Sequence, residues 1–435
     1  MFIGVDDTDS SDGMCTTYIA SKLIDLFRDR LIGYPRLVRL NPNIKYKTRG
    51  NGALAIQVGQ GAGSKIEVGH VQGTPIFSYS ELIREQWSQE DTEKVISTVE
   101  QFSESGDNTN PGIVFSMVPI DPELYINAVR KEIDMVKVEK LLKSIDADFV
   151  KFGNGRGIIG AASAISWTED PHTFEVLNYS FPAGRRRSIT EKMEISSYAD
   201  STGVTFDSID RKNRRPAIFP RERTPVVYGI RGMDPDSLIE LSSDINTKFS
   251  VESERTTIFK TNQGTDDHIV LNPSLLENLG SYAIDAYVLS EPYSIRGGHY
   301  FLELGYNAGK VRAAAFEPTK EFRSVISKLR PGDMVRVFGS FVDETINLEK
   351  IRISSVSEEY RRTNPKCRSC GIMTTNRGRN DFRCPTCGAR YSLPEYVRTD
   401  RSITEGYYEV PVTARRHLSM PLMLRGRVRH ISDMY

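Results

Sequence analysis

Apolar and polar positions alternate through the C-terminal half of the chain with the short period of β-strands. Five such runs are expected at Tyr282–Ser290, His299–Leu304, Val311–Phe316, Met334–Val342 and Ile346–Val356. Between the third and fourth, Lys320 to Arg330 places Phe322, Val325, Ile326 and Leu329 on one face, the stripe of a helix. Pro331-Gly332-Asp333 then marks a turn into the fourth strand. Five strands with a helix in that gap follow the order of an OB-fold barrel, here over 276–357. Such barrels bind single-stranded or loop nucleic acid on one face.

The first half mixes the two periods. Phe2–Val5 is a short apolar strand, and a helix is expected from about Thr16 with Ile19, Leu23, Leu26 and Phe27 buried. Further strands are expected at Gly112–Val118, Phe149–Phe152, Ile158–Trp167, Val226–Ile230 and Thr256–Lys260, with helix over Glu123–Ile145 and Pro235–Ile245. The order β-α-β-β-α-β predicts a ferredoxin-like α+β unit over 111–263. That fold serves many functions and leaves the chemistry open.

Composition narrows the class. The 435 residues are 39% hydrophobic and 26% charged, ordinary for a multidomain globular protein. No apolar run reaches the ~20 residues that cross a bilayer, and the opening MFIGVDDTDS has no signal-peptide pattern, so a cytoplasmic protein is expected. Acidic and basic residues balance at 57 each. Nucleic-acid binding would therefore rest on local patches: Arg185 to Arg187, the run from Arg211 to Arg223, and the tail from Arg398 to Arg429.

Four of the five cysteines form C-x2-C-x13-C-x2-C: Cys367, Cys370, Cys384 and Cys387. Two such knuckles, each leading into a glycine (Gly371, Gly388), offer four thiolates to a structural zinc with no open position. A tail follows with Tyr407, Tyr408, Arg415, Arg416, His417, Arg425 and Arg427, residues suited to unstacked bases and phosphates. Ribbon and tail together span 358–435.

Chemistry-bearing residues concentrate nearer the N-terminus. The first strand runs into Asp6-Asp7-Thr8-Asp9, three carboxylates within four residues. Such crowding is relieved by solvent or by a divalent cation, and magnesium takes one or two carboxylates plus substrate phosphates. The helix start beyond offers N–H groups to phosphate, with Thr16 and Thr17 available to cap it. A second loop, Lys45 to Gly52, sets Lys47 and Arg49 beside Gly50 and Gly52, a cationic cradle for phosphate without a Walker A pattern. Gly153-Asn154-Gly155-Arg156-Gly157 reads equally as a second phosphate loop or as a glycine-rich hairpin. Thr205 to Asp210 carries an acidic pair, Asp207 and Asp210, before the basic run. Thr261 to His268 reads as a linker or as a wall of the site.

In order along the chain, GVDDTDSSDGMCTTY (4–18), RLNPNIKYKTRGNGA (39–53), NTNPG (108–112), FGNGRGIIGA (152–161), YGIRG (228–232) and KTNQGTDDH (260–268), followed by the barrel and the CxxC pairs, resemble the archaeal tRNA-isoleucine 2-agmatinylcytidine synthetases. The resemblance spans nearly the whole chain. It implies a kinase-like catalytic domain over 1–110, the ferredoxin-like and OB domains, and the ribbon. It also implies ATP-dependent attachment of agmatine to carbon 2 of the wobble cytidine in the CAU anticodon of an isoleucine tRNA. In that chemistry the cytosine 2-oxo group is phosphorylated, ATP is split to AMP and pyrophosphate, and AUA becomes readable as isoleucine. Asp6, Asp7 or Asp9 would hold magnesium. Thr16 matches an autophosphorylated threonine. Lys47, Arg49, Gly50, Gly52, Gly153, Gly155 and Arg156 would meet phosphate. Agmatine's guanidinium calls for a carboxylate, and Asp207 and Asp210 are the candidates. The partners expected are the tRNA, agmatine and ATP, with no membrane and no protein partner.

Overall fold

Among the described residues thirteen strands precede the barrel: β1 (Phe2–Asp6), β2 (Leu31–Arg39), β3 (Gly52–Val58), β4 (Gln60–Val71), β5 (Thr74–Arg84), β6 (Gly112–Ser116), β7 (Asp148–Lys151), β8 (Thr173–Tyr179), β9 (Thr205–Phe206), β10 (Ile209–Asp210), β11 (Arg215–Pro216), β12 (Val226–Gly232) and β13 (Arg255–Thr261). The structure is a computed structural model that describes all residues except 11–12, 48–49, 105, 107, 183–186, 221–222 and 429–435. Eleven of these strands share one sheet, in the order β7-β6-β1-β3-β2-β5-β4-β13-β8-β12-β9. β1 lies between β3 and β6, antiparallel to both, and Phe2 to Val5 are buried. Alternate residues of β1 feed the two faces of the sheet. Ile3 and Val5 pack with Ile19 and Leu23 of α1 (Thr16–Leu26), whereas Phe2 joins the opposite cluster with Ile158 and Ala161. In α1, Ile24 is buried where Leu26 was expected, and Leu26 is 41% exposed.

The opposite face is covered by α3 (Pro122–Arg130), α4 (Met135–Ser144) and α5 (Gly157–Ser166), while α2 (Gln89–Phe102) packs beside α1. Residues Ile158–Trp167, expected as a strand, are therefore mostly the helix α5. Its apolar run hides a small-residue face that lets backbones approach closely. A Cβ at Gly4 would lie 2.2 Å from the Ala161 carbonyl oxygen, and one at Gly112 only 2.0 Å from the Ile158 nitrogen. The strands expected to form one unit over 111–263 also separate. β6 and β7 extend the edge beyond β1, while β12 and β13 flank β8 at the other end. Strand β8 and the helix α6 (Ile189–Ser201) went unpredicted; α7 (Pro235–Lys248) matches its expectation. β8 is buried along its whole length and carries Glu175 and Asn178, which mask its apolar period.

The barrel strands follow their expected positions closely. β14 (Ile269–Leu271), β15 (Ser281–Val288), β16 (Tyr293–Ser294), β17 (Tyr300–Tyr306), β18 (Gly309–Ala315), β19 (Met334–Val342) and β20 (Thr345–Ser355) form one sheet. It closes through β15-β19-β20-β18-β17 and back to β15. The helix α8 (Glu321–Ile326) falls between β18 and β19, with Phe322, Ile326 and Leu329 in the core. Beyond the barrel, Glu359–Thr363 pairs antiparallel with Glu395–Thr399 to make a stem, and the cysteine ribbon sits at its end. Gly371 N–H donates to Cys367 O at 2.8 Å and Gly388 N–H donates to Cys384 O at 3.0 Å, two equivalent knuckles with both glycines at positive φ. The four thiol sulfurs lie within 4.8 Å of one another, positioned for one metal ion.

The chain then turns back. Gly406–Glu409 pairs with β20, and residues 410–420 run into the groove between the barrel and the long sheet. Arg415 and Arg416 are thus drawn inward and line the cleft described below. Among the described residues no helix is long and apolar enough to cross a membrane.

Candidate active site

A cleft of about 1420 Å³ opens where the end of β1, the 41–52 loop, the start of α5, the far end of the sheet and the returning tail meet. Asp6, Asp7, Asp9, Thr16, Lys47, Gly50, Gly52, Arg156 and Asp207 all line it. Gly153 and Gly155 flank the lining residue Asn154, Asp210 lies outside, and Arg49 falls outside the described residues.

Asp6 is the last residue of β1, and Asp7 turns the chain at a φ of 56°. Asp6 is packed beneath α5: a Cβ at Gly160 would stand 1.8 Å from Asp6 Oδ2. Burial, then Asp7, raises the Asp6 carboxyl well above the usual carboxylate range. Burial and Asp9 push Asp7 up to about 6, against hydrogen bonds from Asn110 and the charge of Arg156. The loop therefore concentrates negative charge that the protein only partly neutralises. Among the described residues only the four cysteines bring three or more ligand atoms within 4.8 Å, so the aspartates are no preformed cage. They fit magnesium in its usual manner, one or two carboxylates with the other positions left to phosphate and water.

Two helix starts face this charge. Cys15 is the N-cap of α1 and makes no side-chain cap bond; Thr16 and Thr17 lie inside the first turn instead of capping it, both 5% exposed. α5 likewise starts without a side-chain cap, at Arg156. The glycine segment is a strand-to-helix turn, not a hairpin. Gly153 and Gly155 take φ of 57° and 76°, and Asn110 Oδ1 accepts from the Asn154 N–H at 3.0 Å. At α5 the Gly157 N–H donates to the Asn110 carbonyl at 3.1 Å, so this start offers anions its positive dipole end.

Cations complete this side. Lys47 donates to the Pro42 carbonyl, and burial together with Arg416 lowers its pKa. The Arg156 guanidinium stacks 4.4 Å above the Tyr46 ring. Gly50 and Gly52 close on Arg39: a Cβ at either would lie 2.6 or 2.8 Å from Arg39 Nη1.

The opposite wall holds groups that sequence reasoning missed. Glu175 is 2% exposed and receives Arg231 Nε at 2.9 Å, with Arg39 Nη2 at 3.7 Å. Burial alone would raise its carboxyl, but Arg231, Arg39 and Gln263 hold it below the ordinary value. A signal existed: a carboxylate inside an apolar strand must find a partner. Asp207 pairs with Arg415, which also meets Glu409 at 2.6 Å. Asp210 is used elsewhere, accepting from Asn213 N at 3.1 Å and from Thr413 Oγ1 at 2.8 Å. Its carboxylate thus ties the 210–213 loop to the tail. The Thr261–His268 segment does not itself line the cleft but backs the returning tail: Gly264 N–H donates to His417 O at 2.8 Å, and Asp266 N–H to Leu418 O at 2.9 Å.

Sequence models of three domains match the chain: the TiaS TCKD domain over residues 2–154, the TiaS FLD domain over 155–268 and the TiaS C-terminal zinc ribbon domain over 364–403. A curated relative from Thermoplasma volcanium, the isoleucine-tRNA 2-agmatinylcytidine synthetase TiaS, is 45% identical over 427 residues, covering 98% of both chains. The chain belongs to the TiaS family. Solved TiaS structures superpose along its length. A complex of TiaS with isoleucine tRNA and ATP has a TM-score of 0.82 at 34% identity, covering 97% of this chain and 96% of that one. A complex of TiaS with isoleucine tRNA, AMPCPP and agmatine has a TM-score of 0.78 at 32% identity, covering 99% and 98%. The first two TiaS domains divide at Asn154, inside the glycine turn.

Proposed function

We propose that this chain uses ATP to attach agmatine to carbon 2 of the wobble cytidine in the CAU-anticodon isoleucine tRNA. One observation carries the reading: a single cleft joins an acidic loop, two uncapped helix starts and an arginine-bound carboxylate, in a chain whose family includes complexes with isoleucine tRNA, ATP and agmatine. The kinase-like unit then runs past residue 110 to about 154, a ferredoxin-like unit follows to 268, and the barrel is of OB type.

The roles follow from the chemistry. The cytosine 2-oxo group leaves poorly as it stands, and a phosphoryl group from ATP turns it into a good leaving group. One or two of Asp6, Asp7 and Asp9 would hold magnesium, which would neutralise phosphate charge when bound. Lys47, Arg156 and the starts of α1 and α5 bind phosphate oxygens, with the glycine turns at 50–52 and 153–155 allowing close backbone approach. Arg49 belongs to the same loop. Thr16, in the first turn of α1, accepts a phosphoryl group. Asp207 receives agmatine's guanidinium alongside Arg415, and Asp210 fixes that loop. The barrel and ribbon hold the tRNA body while the target base leaves its stack. Such an enzyme works in the cytoplasm, where its tRNA resides.

The test incubates purified protein with ATP, magnesium, agmatine and unmodified CAU-anticodon isoleucine tRNA, then weighs the digested nucleosides. The expected product is a wobble cytidine heavier by agmatine less water, formed only with ATP. Folded, zinc-loaded protein that binds this tRNA yet adds no mass would overturn the reading.

A further inference from the structure

His417 enters the cleft on the returning tail. Its Nδ1 lies 2.9 Å from Gln263 Oε1, and the Gln263 amide nitrogen donates to Glu175 Oε2. The two contacts fix each other. A carboxylate can only accept, so Gln263 must turn its NH2 toward Glu175 and its oxygen toward His417. That oxygen can only accept in turn, so His417 carries its proton on Nδ1. Nε2 is left with a lone pair, and among the described residues no group hydrogen-bonds to it. The Nε2–Cδ2 edge faces Gly50: a Cβ there would lie 3.0 Å from either atom.

We propose that His417 Nε2 is the proton acceptor for agmatine's primary amine as it attacks carbon 2 of the target cytosine. The inference rests on the function proposed above. The ammonium gives one proton to Nε2, and the freed lone pair bonds to carbon 2. The carbon–oxygen bond breaks, the oxygen leaves on the γ-phosphoryl group that ATP supplied, and the nitrogen's second proton departs with it as hydrogen phosphate; the ADP left by that transfer loses its β-phosphate to water, which gives the AMP and a second phosphate. His417 then returns its proton to solvent. Glu175 and Gln263 are positioning residues that orient the imidazole through its other nitrogen.

The surroundings suit a neutral base. Arg39, Arg231 and Lys47 face the ring, Arg415 and Arg416 precede it on its own segment, and Glu175 reaches it only through Gln263. Burial and these cations keep the imidazole unprotonated, and the same field lowers the pKa of an ammonium brought beside it. Phosphate bound against Lys47 would offset that field and strengthen the base when both substrates are present. The Asp6, Asp7 and Asp9 cluster lies at the phosphate side, and Asp207 is already paired with Arg415.

The test is single-turnover transfer at saturating agmatine and tRNA, comparing wild type with His417→Asn and His417→Ala, with AMP formation followed in parallel. Asparagine keeps a donor for Gln263 and removes the base. The expected result is a loss of transfer of about 10²-fold or more in both variants, with AMP formation and tRNA affinity retained. Added imidazole should restore part of the rate in His417→Ala, and the variants' residual rate should rise with pH beyond the wild-type plateau. Transfer by His417→Asn at the wild-type rate overturns the proposal, as does a parallel loss of AMP formation without imidazole rescue. If wild type itself makes no product, the underlying reading has failed instead.

Discussion

The ribbon and the cleft both gather reactive groups on glycine-rich turns, but they are assembled on different scales. All four ribbon thiols come from residues 367–387, and each knuckle closes on its own backbone. The cleft draws on β1, the 41–52 loop, the start of α5, β8, β12 and the tail, from Asp6 to Leu418. The local site should form wherever its short stretch folds and metal is present. The distributed site should fail whenever any one of its walls shifts.

Four substitutions sharpen that contrast. Asp7→Ala should cost the largest amount, at least about 10³-fold in transfer, since it removes a group bound to act on phosphate charge. Zinc content measured on the same protein should stay stoichiometric; a variant that lost both would tie the two regions together. Arg415→Ala leaves Asp207 buried without its cation, and denaturant unfolding should show a loss of about 3 kcal/mol or more. Smaller is Gly160→Ala. Its methyl meets Asp6 Oδ2 under α5, so a destabilisation of about 2 kcal/mol is expected together with lost ATP binding. Gly378→Ala in the ribbon, where a Cβ meets nothing within 4 Å, should change stability little.

A further effect depends on pH. In the folded protein Asp7 holds its proton up to about 6, above its ordinary 3.8. The native state therefore binds more protons than the unfolded chain between those values, and stability falls as pH rises through that window. Without divalent cation, Asp7→Asn should be more stable than wild type above about pH 6, by roughly 1 kcal/mol after solvent screening, and equal to it below about 4. Thermal melts across that range check the sign. Equal differences at every pH would mean that Asp7 carries no such burden.

Legibility in the sequence follows the same division between local and distributed. The barrel strand Met334–Val342 and the ribbon cysteines stand where periodicity and spacing put them, because each signal is contained in its own segment. The strand, acidic loop and helix at the N-terminus are equally local. The α5 segment misled because its glycines and alanines are spaced to meet β1 and β6, which an apolar run alone does not reveal. β8 was hidden by Glu175, whose partners Arg39 and Arg231 lie on other strands. The tail looked like an RNA-facing arm because its arginines were counted without the carboxylates, Asp207, Glu409 and Glu349, that draw it into the cleft. It follows that removing residues 357–435 would delete a wall of the cleft along with the ribbon, so the ribbon's part in tRNA selection is better probed by removing 364–394 alone.

The central claim is that the aspartate loop and the two helix starts form the metal–nucleotide site. Its most direct test is manganese bound with ATP, read by electron paramagnetic resonance in wild type and Asp7→Asn at neutral pH. The account predicts a tightly bound manganese–ATP signal in wild type that is lost in Asp7→Asn and survives removal of the ribbon zinc. An unchanged signal in Asp7→Asn, or one that vanishes with the zinc, would contradict it.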